Sequence, residues 1–191
     1  MVKGLYHYLR DAWKKPSKEI SRERMIAWRA SNAIEKVDKP LRLDRARALG
    51  YKAKKGFVIL RVRLNRGGRK RPRAGVKGRT TRKQTIRKTL SMNYRWVAEI
   101  RAARKYKNLE VLNSYNIGKD GKHYFYEVIM VDASKPEIKK DRTTSWIANG
   151  KNSKRAERGL TSAAKKSRGL RNRSPTKKPH AIKKTSSRRS W

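Results

Sequence analysis

Hydrophobic positions recur at helical spacing from the first residues of the chain. Val2, Leu5, Tyr6, Leu9, Ala12 and Trp13 fall on one side of a helical period that Pro16 interrupts, which predicts a helix over 2–14. Ile20, Met25 and Trp28 mark a second helix over 18–30, and Leu43, Ala46 and Leu49 a third, with Gly50 placed as its C-terminal cap. None of the three is long enough to hold its shape without packing. At 57–64 the period drops to two: Val58, Leu60, Val62 and Leu64 share one face of a strand while Arg61 and Arg63 project from the other. One face is expected to meet a core, leaving the other free to meet phosphate. From Tyr94 to Tyr106 the helical period returns, with Trp96, Val97, Ile100 and Ala103 on one side and Arg101, Arg104 and Lys105 towards another, as in a helix lying on a sheet. Strand-like runs at 109–117 and 122–131 flank Gly118-Lys119-Asp120-Gly121, a strong hairpin signal. The order strand, basic loop, helix, strand, strand predicts an α+β fold: a small domain of about three strands with packed helices.

Charge then divides the chain. It holds 55 Lys plus Arg against 14 Asp plus Glu in 191 residues, a formal net charge of +41. Residues 1–60 carry 16 basic and 6 acidic residues, and residues 89–147 carry 11 and 7, so a core can form in those two stretches. Residues 61–88 hold 13 basic residues and no acid, and residues 151–191 hold 15 with Glu157 as the one acid. Such tracts repel themselves in water and order on an anionic surface. The expected organisation is an N-terminal helical region (1–50), a small α+β domain (51–147) with a basic loop (65–90), and a basic extended tail (148–191). The polyanion that a cell supplies in quantity is nucleic acid.

Other classes fall away on the same reading. With no Cys in the chain, disulfide scaffolds, cysteine zinc sites and thiol catalysis are excluded. No apolar run approaches the roughly 20 residues of a membrane span, and the N-terminus breaks its apolar residues with charge too often for a secretory signal. His7, His123 and His180 have no acid or hydroxyl beside them in a spacing that implies a dyad, so they read as a helix residue, a strand residue and a tail residue. Asp, Glu and His are too scattered for a metal set, and Asp38 with Asp44 reads as charge balance near a helix start. Gly67-Gly68 lacks the Gly-Lys-Ser/Thr continuation of a phosphate loop and reads as a turn off the strand end. Neither a cofactor nor a small-molecule substrate is expected, and any structural Mg2+ would be held by the nucleic acid. Of the five tryptophans, Trp13, Trp28, Trp96 and Trp146 are expected in the core and Trp191 in the basic tail.

The positive signal lies in the basic tracts. Arg66-Gly67-Gly68-Arg69-Lys70-Arg71-Pro72-Arg73 and Lys165-Lys166-Ser167-Arg168-Gly169-Leu170-Arg171-Asn172-Arg173 share a texture of guanidinium groups beside residues without bulk. Arginine binds phosphate bidentately or stacks on a base, and long glycine-punctuated arms suit the crevices of folded RNA better than the major groove of DNA. The candidate RNA-contacting residues are Arg61, Arg63, Arg66, Arg69, Lys70, Arg71, Arg73, Arg79, Arg82, Lys83, Arg158, Lys165, Lys166, Arg168, Arg171 and Arg173.

The same residues resemble a known family. Arg45-Ala46-Arg47-Ala48-Leu49-Gly50-Tyr51-Lys52-Ala53-Lys54, Arg66 to Pro72, Val111-Leu112-Asn113-Ser114-Tyr115, Tyr126-Glu127-Val128-Ile129, and Arg158-Gly159-Leu160-Thr161-Ser162-Ala163 through Arg168-Gly169-Leu170 are similar, in that order, to protein fifteen of the large ribosomal subunit of archaea and eukaryotes. Tyr8-Leu9-Arg10-Asp11-Ala12-Trp13-Lys14-Lys15 looks archaeal. The resemblance implies a structural, non-enzymatic component of the cytoplasmic large subunit. Its implied partners are large-subunit ribosomal RNA and neighbouring ribosomal proteins. A DNA-compacting, chromatin-type protein is the alternative that the charge alone allows. An RNA-processing enzyme would need a general base beside a phosphate-binding cation.

Overall fold

A computed structural model describes residues 2–68 and 90–171. The elements run α1 (Leu5–Lys14), α2 (Lys18–Ala30), β1 (Ile34–Val37), α3 (Leu43–Ala48), β2 (Phe57–Asn65), α4 (Tyr94–Lys105), β3 (Glu110–Lys119), β4 (His123–Val131), α5 (Pro136–Lys139) and α6 (Ser162–Ser167), with 3-10 turns at Ser145–Ala148 and Gly150–Asn152. The fold is α+β around one antiparallel sheet of order β1-β2-β4-β3. The sheet has one strand more than the hydrophobic pattern predicts. β1 is four residues long and carries Glu35-Lys36 at its centre, so it lacks an apolar run of its own. It is held by pairing Ile34 to Val37 with Val62 to Ile59 of β2.

Alternation along the strands feeds two cores, one on each face. Leu60, Val62, Leu64, Val111, Tyr126, Val128 and Met130 pack with Ala98 and Ala102 of α4. Ile59, Tyr115, Ile117, Phe125, Ile129 and Val131 pack on the other side with Trp28 of α2, Ala46 of α3 and Ile138 of α5. This second core corrects the expectation for β2, whose arginine-bearing face is covered too. Arg61 pairs with Glu35 at 2.7 Å and lies over the Trp28 ring at 5.7 Å, while Arg63 donates to the Arg29 carbonyl. Helix α4 is likewise buried on more than the predicted face. Ala98 and Ala102 meet the sheet, and Trp96 with Ile100 meets Ala163 and Ala164 of α6.

The hairpin turn falls two residues later than predicted. Gly118 and Lys119 belong to β3, and Asp120 closes the turn by accepting from the Lys122 amide at 2.7 Å and the His123 amide at 2.5 Å. Each described histidine also sits beside one carboxylate, contrary to the sequence reading. His7 Nε2 is 2.9 Å from Asp11 one turn along α1, and His123 Nδ1 is 3.3 Å from Asp120. His180 and Trp191 lie outside the described residues.

Chain beyond residue 148 is extended in the sequence reading, but residues 148–171 wind into short turns packed on the domain. Small and apolar residues among the charges, namely Ala156, Ala163 and Ala164, make this possible, each 2% exposed or less. Ile147 enters one core and Ala156 the other, so this segment passes around the free edge of β3. Arg155 holds it there, donating from Nη1 to the Val111 and Leu112 carbonyls beside the β3 bulge. The first residues of this edge strand are thereby covered, which blunts that end against pairing with another chain.

Candidate nucleic-acid interface

Two buried carboxylates, one on each side of the sheet, fix the elements that carry the surface cations. Glu99 of α4 is fully buried and accepts from the Ser114 and Thr161 hydroxyls, which ties α4 to β3 and to the cap of α6. Burial pushes its carboxyl above the ordinary value, opposed by those two hydroxyls and by Arg95 and Arg155. Glu127 of β4 accepts from the Tyr115 hydroxyl and, at 3.2 Å, from the Leu41 amide, and burial raises its carboxyl in the same direction. Near the surface, Asp141 receives Lys52 at 2.8 Å together with Lys54 and the Thr143 amide, and these bonds hold it well below the usual carboxylate range. Acids are thus spent on internal ties, and few remain to offset the outward-facing Lys and Arg.

Against that frame the described ends of the two basic tracts border one groove. β2 ends at Asn65, Arg66 turns back to donate to the Asp120 carbonyl at 2.6 Å, and Gly67 adopts φ +107°, a conformation that side chains resist. That is the turn expected of the glycine pair. The Gly67 amide donates to the Tyr94 hydroxyl at 2.9 Å, and the same hydroxyl donates to the Gly67 carbonyl at 2.8 Å. On the opposite wall α6, capped by Thr161, packs on α4 and brings up Lys166. Between them lies an open groove of about 740 Å3 lined by Gly67, Gly68, Tyr94, Arg95, Tyr124, Tyr126 and Lys166 among others. The Tyr94 and Tyr124 rings are 4.7 Å apart, Tyr124 and Tyr126 are 6.3 Å apart, and the Arg66 guanidinium lies 5.1 Å from the centre of the Tyr124 ring. Arg95 is fixed by Ser114 at 2.8 Å and Asn113 at 2.5 Å.

The candidate residues therefore divide. Arg66, Lys165, Lys166 and Arg171 are exposed around this region, and Arg168 is half-buried with its guanidinium on the Gly159 carbonyl at 3.1 Å. Arg158 is exposed and donates to the Lys151 carbonyl, and Arg171 donates to the Ser162 hydroxyl. Arg61 and Arg63 are partly buried and bonded within the domain, Arg61 to Glu35 and Arg63 to the Arg29 carbonyl. Arg69, Lys70, Arg71, Arg73, Arg79, Arg82, Lys83 and Arg173 lie outside the described residues. The sequence reading missed Arg95 and the three tyrosines. Tyr124 and Tyr126 alternate on one face of β4, and that spacing was the available signal.

Trp28 and Trp96 are buried and Trp13 is partly buried against Arg24 and Arg42, as expected of core tryptophans. Trp146 is not, being 42% exposed. Among the described residues there is no cluster of three or more His, Asp or Glu that could hold a metal ion, and no helix long and apolar enough to cross a membrane.

A family model described as Ribosomal L15 matches residues 4–190 of the chain. A large ribosomal subunit protein eL15 from Methanocella arvoryzae is 51% identical over 176 residues, which cover 90% of this chain and 89% of that protein. A match that runs through the helices, the four-stranded sheet and both basic tracts means that the chain belongs to the Ribosomal L15 (L15e) family of ribosomal proteins.

Proposed function

We propose that this chain is a structural constituent of the large ribosomal subunit in the cytoplasm, and that it binds large-subunit ribosomal RNA. Its work is to supply positive charge and a fixed shape to folded RNA, beside neighbouring ribosomal proteins, without catalysis. The observation that carries the reading is that Gly67-Gly68 and Lys166, from the described ends of the two basic tracts, line one tyrosine-bearing groove. Phosphates meet the cations of such a surface, and unstacked bases meet its rings and guanidinium planes. Family membership favours RNA over the chromatin-type alternative.

The test sets position against charge. One variant of the full chain replaces Arg66, Lys165, Lys166 and Arg171 by Ala, and the other replaces the exposed Lys14, Lys15, Lys36 and Lys39. Both lose the same charge. The first is expected to lose far more of its binding to large-subunit RNA and of its incorporation into subunits. Equal losses would reduce the contact to overall charge.

A further inference from the structure

Trp146 holds an unusual position for so large an apolar side chain. It lies in a 3-10 turn whose next residue, Ile147, is 1% exposed in the core, so the turn is anchored while the indole stays 42% exposed. Its polar handle is already used: Nε1 donates to the Thr143 carbonyl at 3.0 Å. Its backbone carbonyl accepts from Asn152 Nδ2 at 2.5 Å, which fixes the turn from the other end. One face of the ring is backed by the Arg155 guanidinium, 4.8 Å from the ring centre. That arginine is 9% exposed and donates to the Val111 and Leu112 carbonyls at the edge of β3, so it cannot swing away without leaving those carbonyls unpaired. What remains to solvent is a rigid π surface that offers no hydrogen bond.

We propose that the outer face of Trp146 is a stacking platform for a single unpaired nucleobase of the RNA. The inference rests on the RNA-binding reading above and adds a site outside the two basic tracts. Three observations favour a nucleobase over an apolar protein side chain. The exposed charges on the packed neighbouring elements are mostly cationic, with Lys139, Lys140, Arg142 and Lys151 against Glu137, so the occupant should carry phosphate beside its flat face. The Arg155 cation beneath the ring draws on its π density, so the outer face is poorly suited to a second cation and well suited to a neutral aromatic system. Finally, the platform is held rigid before binding, so stacking sacrifices little side-chain freedom. Arg155 acts here as a positioning residue, since it touches the indole and not the base.

The experiment uses the full chain with Trp146→Phe, Trp146→Leu and Trp146→Ala. Large subunits assembled with each variant are probed base by base with dimethyl sulfate and a carbodiimide, and affinity for large-subunit RNA is measured in parallel. The expected result is one base, protected in the parent and in Trp146→Phe, that becomes reactive in the Leu and Ala variants. Affinity should fall about tenfold for Leu and Ala and by much less for Phe. Unchanged thermal midpoints would show that all three variants fold, and the Leu variant keeps apolar bulk should Ala disturb the turn. Equal retention by Leu and Phe would overturn the proposal in favour of a plain apolar contact. Loss of a neighbouring protein with no base newly reactive would overturn it in favour of a protein partner. If the parent chain itself fails to bind large-subunit RNA, the underlying reading fails; if the parent binds and all variants match it, the platform alone fails.

Discussion

Tyr115 and Glu127 stand directly opposite one another in the β3–β4 ladder, and the phenol donates its hydroxyl hydrogen to the carboxylate. They complete a row that crosses the whole sheet: Glu35 on β1 faces Arg61 on β2, Arg61 faces Glu127 on β4, and Glu127 faces Tyr115 on β3. Cross-strand neighbours of this kind are the units by which a sheet is stabilised. Here the single guanidinium of the row lies between two carboxylates under the cover of Trp28.

Removing the phenol hydroxyl with Tyr115→Phe leaves the buried Glu127 dependent on the Leu41 amide and the nearby arginines. The expected loss is about 1–3 kcal/mol of stability, read from the denaturation midpoint at neutral pH. An unchanged midpoint would mean that the carboxylate has another donor.

Arg61 and Lys166 provide a contrast between a cation of the fold and a cation of the surface. Arg61→Ala should lower stability by roughly 1–3 kcal/mol, because it removes the ion pair with Glu35, the packing on Trp28 and a positive charge near Glu127, and leave the salt dependence of RNA binding unaltered. Lys166→Ala should do the reverse, reducing the slope of log affinity against log salt by roughly 0.7–0.9 if it neutralises one phosphate. Measuring both quantities on both variants checks the division. A slope change in Arg61→Ala would return that residue to the interface.

Glu99 gives the protein a pH response whose sign follows from its raised carboxyl. Above the ordinary value of 4.5 the folded chain holds a proton that the unfolded chain releases, so stability falls as pH rises from there through the folded value. The neutral Glu99→Gln should lack this component, so the parent-minus-variant difference in thermal midpoint should rise, in the parent's favour, as pH is lowered towards 4.5. Asp141 acts oppositely. Its contribution is present above 3.8 and lost as pH falls below it, a loss that Asp141→Asn would show already at neutral pH.

Gly118 is a point of close approach between α2 and the sheet. A Cβ built there would lie 2.7 Å from the Met25 methyl and 3.1 Å from the Trp28 ring. Met25 can yield and Trp28, packed on Phe125 at 5.2 Å, cannot. Gly118→Val should therefore cost about 1–3 kcal/mol, with Gly118→Ala milder, in chemical denaturation.

The long periodic segments were legible because their apolar positions meet a core at the spacing of one element. α2 begins and ends where the pattern places it, and β2 and α4 differ from it by a single residue. What escaped was held by tertiary contact. β1 exists because β2 offers it a ladder, and the turns of 145–171 exist because alanines and Arg155 fit the β3 edge. Arg61 and Arg63 alternate out of one core face, and nothing in their local pattern says that α2 covers the other. Trp146 misled for the same reason, since an apolar residue beside Ile147 reads as core until the turn shows which of the two points inward. The candidate interface was legible as charge and not as shape, because its tyrosines come from β4 and α4 and adjoin only after folding.

The bonds between Gly67 and Tyr94 join positions 27 apart in the chain. In an open chain, bringing such ends together carries a closure entropy of about 3 kcal/mol at this length. The folded domain has already met that requirement at the foot of the first basic tract. A ligand that approaches this foot therefore meets Gly67 and Tyr94 already held together, with no closure left for it to drive.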